Sequence, residues 1–306
     1  MVDSKNRKGI EMNEKKKLIS FDYAMKYMLR GKSDYSIIEG FLSALLATAN
    51  YKPVKVKSLL ESESNRDDQR GKRVVADMVV EDTDGVQYII EIERNERFNF
   101  MHKACFSTSR LIIDNLDQGQ DYKKIIKVIH ISLLYFDIGG SLYHGKTIMH
   151  EVNSNERLNL QLKRGDGSSY DLHDIFPEYF VISIPAFHDQ INRSIDEWLY
   201  MMKHEEIRED FKEKYIKLAA QRLDFLKMSM EEQSKYMEYQ IEMVDVHDIV
   251  ETKYIKGKEE GREEGRQEMQ RQIAKQLLIS GLDIETVVKT TNLDIDEVVK
   301  IKNKIK

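Results

Sequence analysis

The sequence predicts an α/β fold, a mixed β-sheet flanked by helices, followed by an all-helical C-terminal extension. Three observations carry this expectation. Two helical patterns near the start give way to a series of β-type segments. A helical stretch then separates these from the strongest apolar run of the chain, Ile125–Ile138. From Trp198 onward nearly every segment has helical periodicity.

The elements follow in order. Residues 1–19 are polar and charged and read as a flexible arm. A helical pattern begins at Phe21, with Ser20 and Asp22 as candidate caps. Ile37, Ile38, Phe41, Leu42, Leu45 and Leu46 recur at three- and four-residue steps and predict a second helix. Lys55–Leu60 alternates as a strand does. Val74–Val80 and Val86–Glu93 read as two strands around Asp82-Thr83-Asp84-Gly85. Phe98–Asn115 reads as a helix and Ile125–Tyr135 as a buried central strand. Ile148–Glu156, Leu158–Leu162 and Tyr179–Ile184 supply further strands. The expected organisation is an arm (1–19), an α/β domain (20–205), a helical extension (206–255) and a charged linker helix with a helical tail (256–306).

Bulk properties narrow the class. With 306 residues, 41% hydrophobic and 33% charged, the chain has enough material for a real core. Its apolar runs are too short to span a bilayer, and no apolar block follows Lys15-Lys16-Lys17, so neither a membrane span nor a secretory signal is expected. One cysteine, Cys105, allows no internal disulfide and suits a reducing cytoplasm; it reads as a small buried residue on a helix. A net charge of −5 does not favour wholesale attraction of a polyanion, so any nucleic-acid contact needs a local basic rim. The 8 histidines form no HxxxH or Cys/His pattern, and no Walker loop, dinucleotide fingerprint or nucleophile elbow appears.

The chemistry concentrates in one hairpin. A three-residue loop of Thr83, Asp84 and Gly85, with Gly85 at positive φ, pairs Asp82 with Val86 and so sets Asp77 opposite Glu91. Glu91 and Glu93 share a strand face, and Asp77 joins them. A two-residue loop would shift this register by one. Three carboxylates on one face repel unless neutralised, and acids inside β runs this apolar are costly without partners. A hard divalent cation, Mg²⁺ or Mn²⁺, would neutralise them and could activate water toward a phosphate.

The same stretch, with its surroundings, resembles the PD-(D/E)XK nuclease family transposases, also called recombination-promoting nucleases of the Rpn type. The resemblance runs through Phe21-Asp22-Tyr23-Ala24-Met25-Lys26-Tyr27-Met28, Ile38-Glu39-Gly40-Phe41-Leu42, the Asp77 hairpin, Glu91-Ile92-Glu93-Arg94-Asn95, Arg110 and Gln120-Asp121-Tyr122. It continues in Asp196-Glu197-Trp198-Leu199-Tyr200 and the Gly-Lys-Glu-Glu-Gly-Arg-Glu-Glu-Gly tail. It implies a restriction-endonuclease-like sheet, and a metal held by Asp77, Glu91 and the backbone carbonyl of Ile92. The third motif position, Lys or often Gln in that family, is Glu93 here. Glu93 then binds a second metal or acts as a base, or the site is degenerate. Lys103 either supplies a displaced cation or is a solvated helix residue. Arg94, Arg97, Lys103 and Arg110, with Lys72 and Arg73, are candidate phosphate contacts. Glu39 or Asp22 is a candidate accessory acid.

In the tail, Gly257, Gly261 and Gly265 recur every four residues amid Lys/Arg and Glu stripes. This predicts a helix that is either a solvated linker or a packing face. Ile273–Leu278 reads as a helix ended by Gly281. Two short helices around Asn292, with Asp283 and Asp294 as caps, give a helix-turn-helix-like end. The leading expectation is a Mg²⁺- or Mn²⁺-dependent DNA endonuclease of recombination or transposition, cytoplasmic, with possible self-association through the C-terminal helices. The alternative is a catalytically degenerate DNA-binding or interaction protein of the same fold.

Overall fold

The structure, a computed structural model, describes residues 18–25, 34–60, 77–96, 99–116, 121–158, 162–163, 169–170 and 174–305. Residues 1–17 of the expected arm, Lys72, Arg73, Arg97 and the start of the expected strand at Val74 lie outside these residues. After a single turn, α1 (Phe21–Tyr23), comes α2 (Ser36–Ala47), whose Ile37, Ile38, Phe41, Leu42, Leu45 and Leu46 are all buried, as the periodicity requires. Strands β1 (Val56–Leu60), β2 (Met78–Asp82) and β3 (Gln87–Glu93) form an antiparallel meander.

The β2–β3 register pairs Met78 with Ile90, Val79 with Ile89 and Val80 with Tyr88. This is the register of the three-residue loop. Gly85 sits at φ 80°, and Asp82 secures the turn by accepting from the Asp84 and Val86 amides.

Helix α3 (Phe100–Asp114) then carries the chain over the sheet to β4 (Val128–Leu134), which runs parallel to β3 with all its residues buried. A parallel neighbour demands such a crossover. Strand β5 (Leu142–Gly145) forms an edge, β6 (Leu162–Lys163) and β7 (Ser169–Tyr170) pair separately, and β8 (Glu178–Ser183) lies parallel to β4. The six-stranded sheet has the order β1-β2-β3-β4-β8-β5. It is the mixed sheet with flanking helices that was expected. Helices α4 (Ser194–His204) and α5 (Lys214–Arg222) pack with α2, where Trp198 meets Phe21 and Phe41 edge to face. Gly40 admits α5, since a Cβ there would collide with the Tyr215 side chain.

Two expected elements are corrected. Ile148–Glu156 is not a strand. Glu151 accepts from the Asn153 and Ser154 amides, and Asn155 takes φ 58°, so the segment folds into a turn with one bridge, His150 to Arg157. Cys105 is exposed on the outer side of α3, not buried.

The chain divides into two compact units, 1–233 and 234–306. The long α6 (Met230–Ile279) runs straight through the glycine tract, and a Cβ added at Gly257, Gly261 or Gly265 meets nothing within 4 Å. Gly281 at φ 87° follows its end. In the second unit α7 (Ile284–Thr291), capped by Asp283, and α8 (Ile295–Ile305) close around Ala274, Val287, Leu293 and Val298. No described helix is long and apolar enough to cross a membrane.

Candidate metal centre under helix α3

Strand alternation sorts the sheet residues. On β3, Ile89, Glu91 and Glu93 point to one face, and their parallel partners His130, Ser132 and Leu134 share it. Val79, opposite Ile89, belongs to the same face, and the paired register ends at Met78 and Ile90, one residue short of Asp77 and Glu91. Helix α3 covers this face. Its C-terminal half lays Leu111 and Ile112 on Val79, Ile89 and Val128, an apolar seal. One and two turns earlier, at the end where the strands finish, the same stripe presents Ser107 and Lys103 to the acids.

Glu91 is 2% exposed and Glu93 6%. Glu91 Oε1 accepts the Ser107 hydroxyl at 2.7 Å, while Oε2 lies 3.1 Å from Lys103 Nζ and 3.8 Å from His130 Nε2. Lys103 also donates to Glu93 Oε1 at 2.6 Å. Its ammonium thus bridges the two glutamates. Burial alone would raise the Glu91 pKa, but the His130 ring, the Ser107 hydroxyl and Lys103 outweigh it and hold it down at about 2. Burial would lower Lys103, and the two carboxylates reverse that, keeping it above the ordinary lysine value. Lys103 is therefore a member of the acid cluster, not a solvated helix residue.

Asp77 stands just before β2. Its Oδ2 accepts the Ile92 amide at 2.7 Å. The amide of Gln87 and the carbonyl of Glu93 are both used by the β4 side, so Ile92, one step out of phase, turns its amide and carbonyl to the β2 side, where the amide meets Asp77. Asp77, Glu91, Glu93 and Ile92 are thereby gathered at one end of one strand pair.

Other expected residues are placed differently. Glu39 accepts the Val56 amide and pairs with Lys55, tying α2 to β1. Val56 lies opposite Asp82 at the turn end of the hairpin, five residues or about 15 Å of strand from Glu91. Glu39 is thus not brought to the acid cluster. Asp22, fully buried, receives Arg94 Nε at 2.7 Å, and that guanidinium stacks 4.8 Å over the Tyr135 ring. Arg110 pairs with Asp114 one turn on along α3. Arg94 and Arg110 are each committed to an acid of this chain.

Ser107 and His130 were not singled out as site residues in the sequence. A signal existed. Lys103, Ser107 and Leu111 form one helical stripe, and His130 and Ser132 are the polar positions on one face of an otherwise apolar strand.

Among the described residues no three His, Cys, Asp or Glu side chains stand as a ready-made metal cage. Mg²⁺ needs one or two carboxylates and keeps several waters, and the hard oxygens of Glu91, Glu93 and Asp77 are its donor type. The donor set fits such an ion.

Acids at the carboxyl ends of a mixed sheet, under a crossover helix that brings a lysine, define a nuclease-type α/β domain. The family model described as PD-(D/E)XK nuclease family transposase matches residues 19–164, so this part of the chain is similar to that family. No curated protein and no solved structure matches the chain.

Proposed function

We propose that the protein is a metal-dependent DNA endonuclease linked to recombination or transposition. One observation carries this reading: Lys103 reaches from α3 to bridge Glu91 and Glu93, which restores beside the acids the cation that Glu93 removes from the motif. Asp77, Glu91 and the Ile92 carbonyl are the residues to hold Mg²⁺ or Mn²⁺. Such an ion, when bound, polarises a phosphate oxygen and lowers the pKa of an attacking water. Lys103 is the group to stabilise charge that develops on the phosphate, and Glu93 is the group that places Lys103. The tail receives no DNA contact in this reading, because the first turn of α8 carries Asp296 and Glu297, which phosphates repel.

The test is nicking of supercoiled plasmid with Mg²⁺ or Mn²⁺. Asp77→Ala is expected to abolish it, and Lys103→Ala to lower it by about 100-fold or more, the range for losing one transition-state donor. Glu93→Gln, which loosens Lys103, is expected to lower it too. A rise on Glu93→Gln would mark Glu93 as a degenerate position. No cleavage by the wild type with either ion would favour the non-catalytic member of the fold.

A further inference from the structure

The side of Glu91 away from solvent holds two groups that the metal reading does not use. Ser107 is 2% exposed and donates to Glu91 Oε1 at 2.7 Å. His130 is fully buried beneath α3, with Nδ1 3.3 Å from Ser132 Oγ and its ring 6.0 Å from that of Tyr179. Those contacts fix the ring, and its other nitrogen, Nε2, has no hydrogen-bond partner among the described residues. Glu91 Oε2 lies 3.8 Å from that nitrogen. A buried polar atom left in this way demands an explanation, because native interiors pair nearly all of them.

We infer that Ser107 and His130 are positioning residues that hold the Glu91 carboxylate for a divalent cation. The inference rests on the reading of Glu91 as a metal ligand. The three partners of Glu91 differ in what they can do. Lys103 reaches in from a side chain that is 38% exposed, so it can swing toward water when a cation arrives. Ser107 and His130 are enclosed and stay. Once Lys103 withdraws from Oε2, the His130 nitrogen is the donor left to that oxygen, and a small shift of the carboxylate closes the gap. Groups that orient a metal-binding side chain from behind typically set the metal affinity, by about 10- to 100-fold.

The experiment is Mn²⁺ titration of the full chain by calorimetry, with the thermal midpoint of the metal-free protein recorded beside it. His130→Asn keeps a polar group near the Nδ1 position and removes Nε2, whereas His130→Gln restores a donor near Nε2. Ser107→Ala removes the hydroxyl and Ser107→Thr keeps it. His130→Asn and Ser107→Ala are expected to weaken Mn²⁺ binding about 10- to 100-fold, with His130→Gln and Ser107→Thr recovering most of it. Wild-type affinity in folded Ser107→Ala and His130→Asn overturns the proposal and leaves both as partners that merely satisfy a buried acid. If His130→Asn does not fold, Ser107→Ala against Ser107→Thr decides alone, equal affinities overturning the proposal. A wild type that binds no Mn²⁺ overturns the metal reading and this inference together. A wild type that loses Mn²⁺ only on Glu91→Ala, and not on the Ser107 or His130 changes, overturns this inference alone.

Discussion

Two buried glutamates on the parallel part of the sheet are each met by one lysine, one histidine and one hydroxyl. Glu178, the first residue of β8, receives the Tyr51 hydroxyl at 2.6 Å and Lys127 at 2.8 Å, with His144 Nε2 at 2.7 Å. Glu91, toward the end of β3, has Ser107 at 2.7 Å, Lys103 at 3.1 Å and His130 only at 3.8 Å. The donor chemistry is the same and the closure is not. Every partner of Glu178 is at full hydrogen-bond distance, and Lys127 is only 10% exposed and also donates to the Phe176 carbonyl. The cluster around Glu91 has slack and one lysine that reaches water.

Topology supplies a reason for the difference. Glu178 pairs with Ile129 and Glu91 with Ser132, so the two acids sit toward opposite ends of β4 and on opposite faces. In parallel α/β sheets ligands gather beyond the carboxyl ends of the strands. Glu91 and Glu93 lie at that end, and Glu178 lies at the other. A saturated acid stabilises the fold, while an unsaturated one with a removable cation keeps capacity for a ligand.

Exchanging the lysines is the strongest way to break this comparison. Lys127→Ala takes the lysine from a fully buried carboxylate that keeps Tyr51 and His144, and is expected to cost about 2–3 kcal/mol of unfolding free energy, with Mn²⁺ affinity unchanged. Lys103→Ala leaves the buried Glu91 and Glu93 without their shared lysine and is expected to cost about 2–3 kcal/mol, while cleavage falls sharply. Urea unfolding and plasmid nicking on the two variants read both quantities. Loss of cleavage or of Mn²⁺ binding on Lys127→Ala as well would erase the distinction between a structural and a functional cluster.

Acid sharpens it further. The folded Glu91 carboxyl is held at about 2, below its unfolded value near 4.3. The ionised form therefore stabilises the fold above about pH 4.3, and that share is lost as the pH falls toward 2. A shift of this size corresponds to something on the order of 3 kcal/mol. Glu91→Gln is expected to be less stable than the wild type at pH 5, with the gap narrowing as urea unfolding is repeated down to pH 2.5. Parallel stability curves for the two proteins would show that the Glu91 partners add nothing to folding. Glu178, lowered in the same direction by Lys127, Tyr51 and His144 against its burial, keeps titrating in both and serves as the internal reference.

What the sequence made legible is what local rules determine. Gly85 and the three-residue loop settle the hairpin register, and the strand alternation of β3 puts Glu91 and Glu93 on one face. The α2 stripe and the apolar β4 are likewise written in short-range periodicity. The parts that escaped depend on contacts distant along the chain. Lys103 could be read as solvated or as a displaced cation until the crossing of α3 over β3 brought it to Glu93. Glu39 reads as a candidate accessory acid, whereas the Val56 amide claims it from 17 positions away. Strand β5 is four residues long beside Gly139 and Gly140, too short to show an alternation, and it exists because β8 offers it an edge.

The finest test compares the two hydroxyls. Tyr51 follows α2 and donates to Glu178 Oε1, an interaction that together with burial pushes its own phenol well above the usual tyrosine range. Tyr51→Phe keeps the ring and removes one donor, and Lys127 and His144 still satisfy the carboxylate. The expected loss is about 1–2 kcal/mol in urea unfolding, the value of one hydrogen bond to a charged acceptor, with no change in Mn²⁺ affinity. Ser107→Ala removes the matching donor at Glu91 and is expected to cost a similar or smaller amount of stability while weakening Mn²⁺ binding. If closure of the cluster is what separates the two sites, the stability losses run together and the metal affinities part. Should Tyr51→Phe also weaken Mn²⁺ binding, the two ends of the sheet are coupled, and Glu178 is no longer a purely structural counterpart to Glu91.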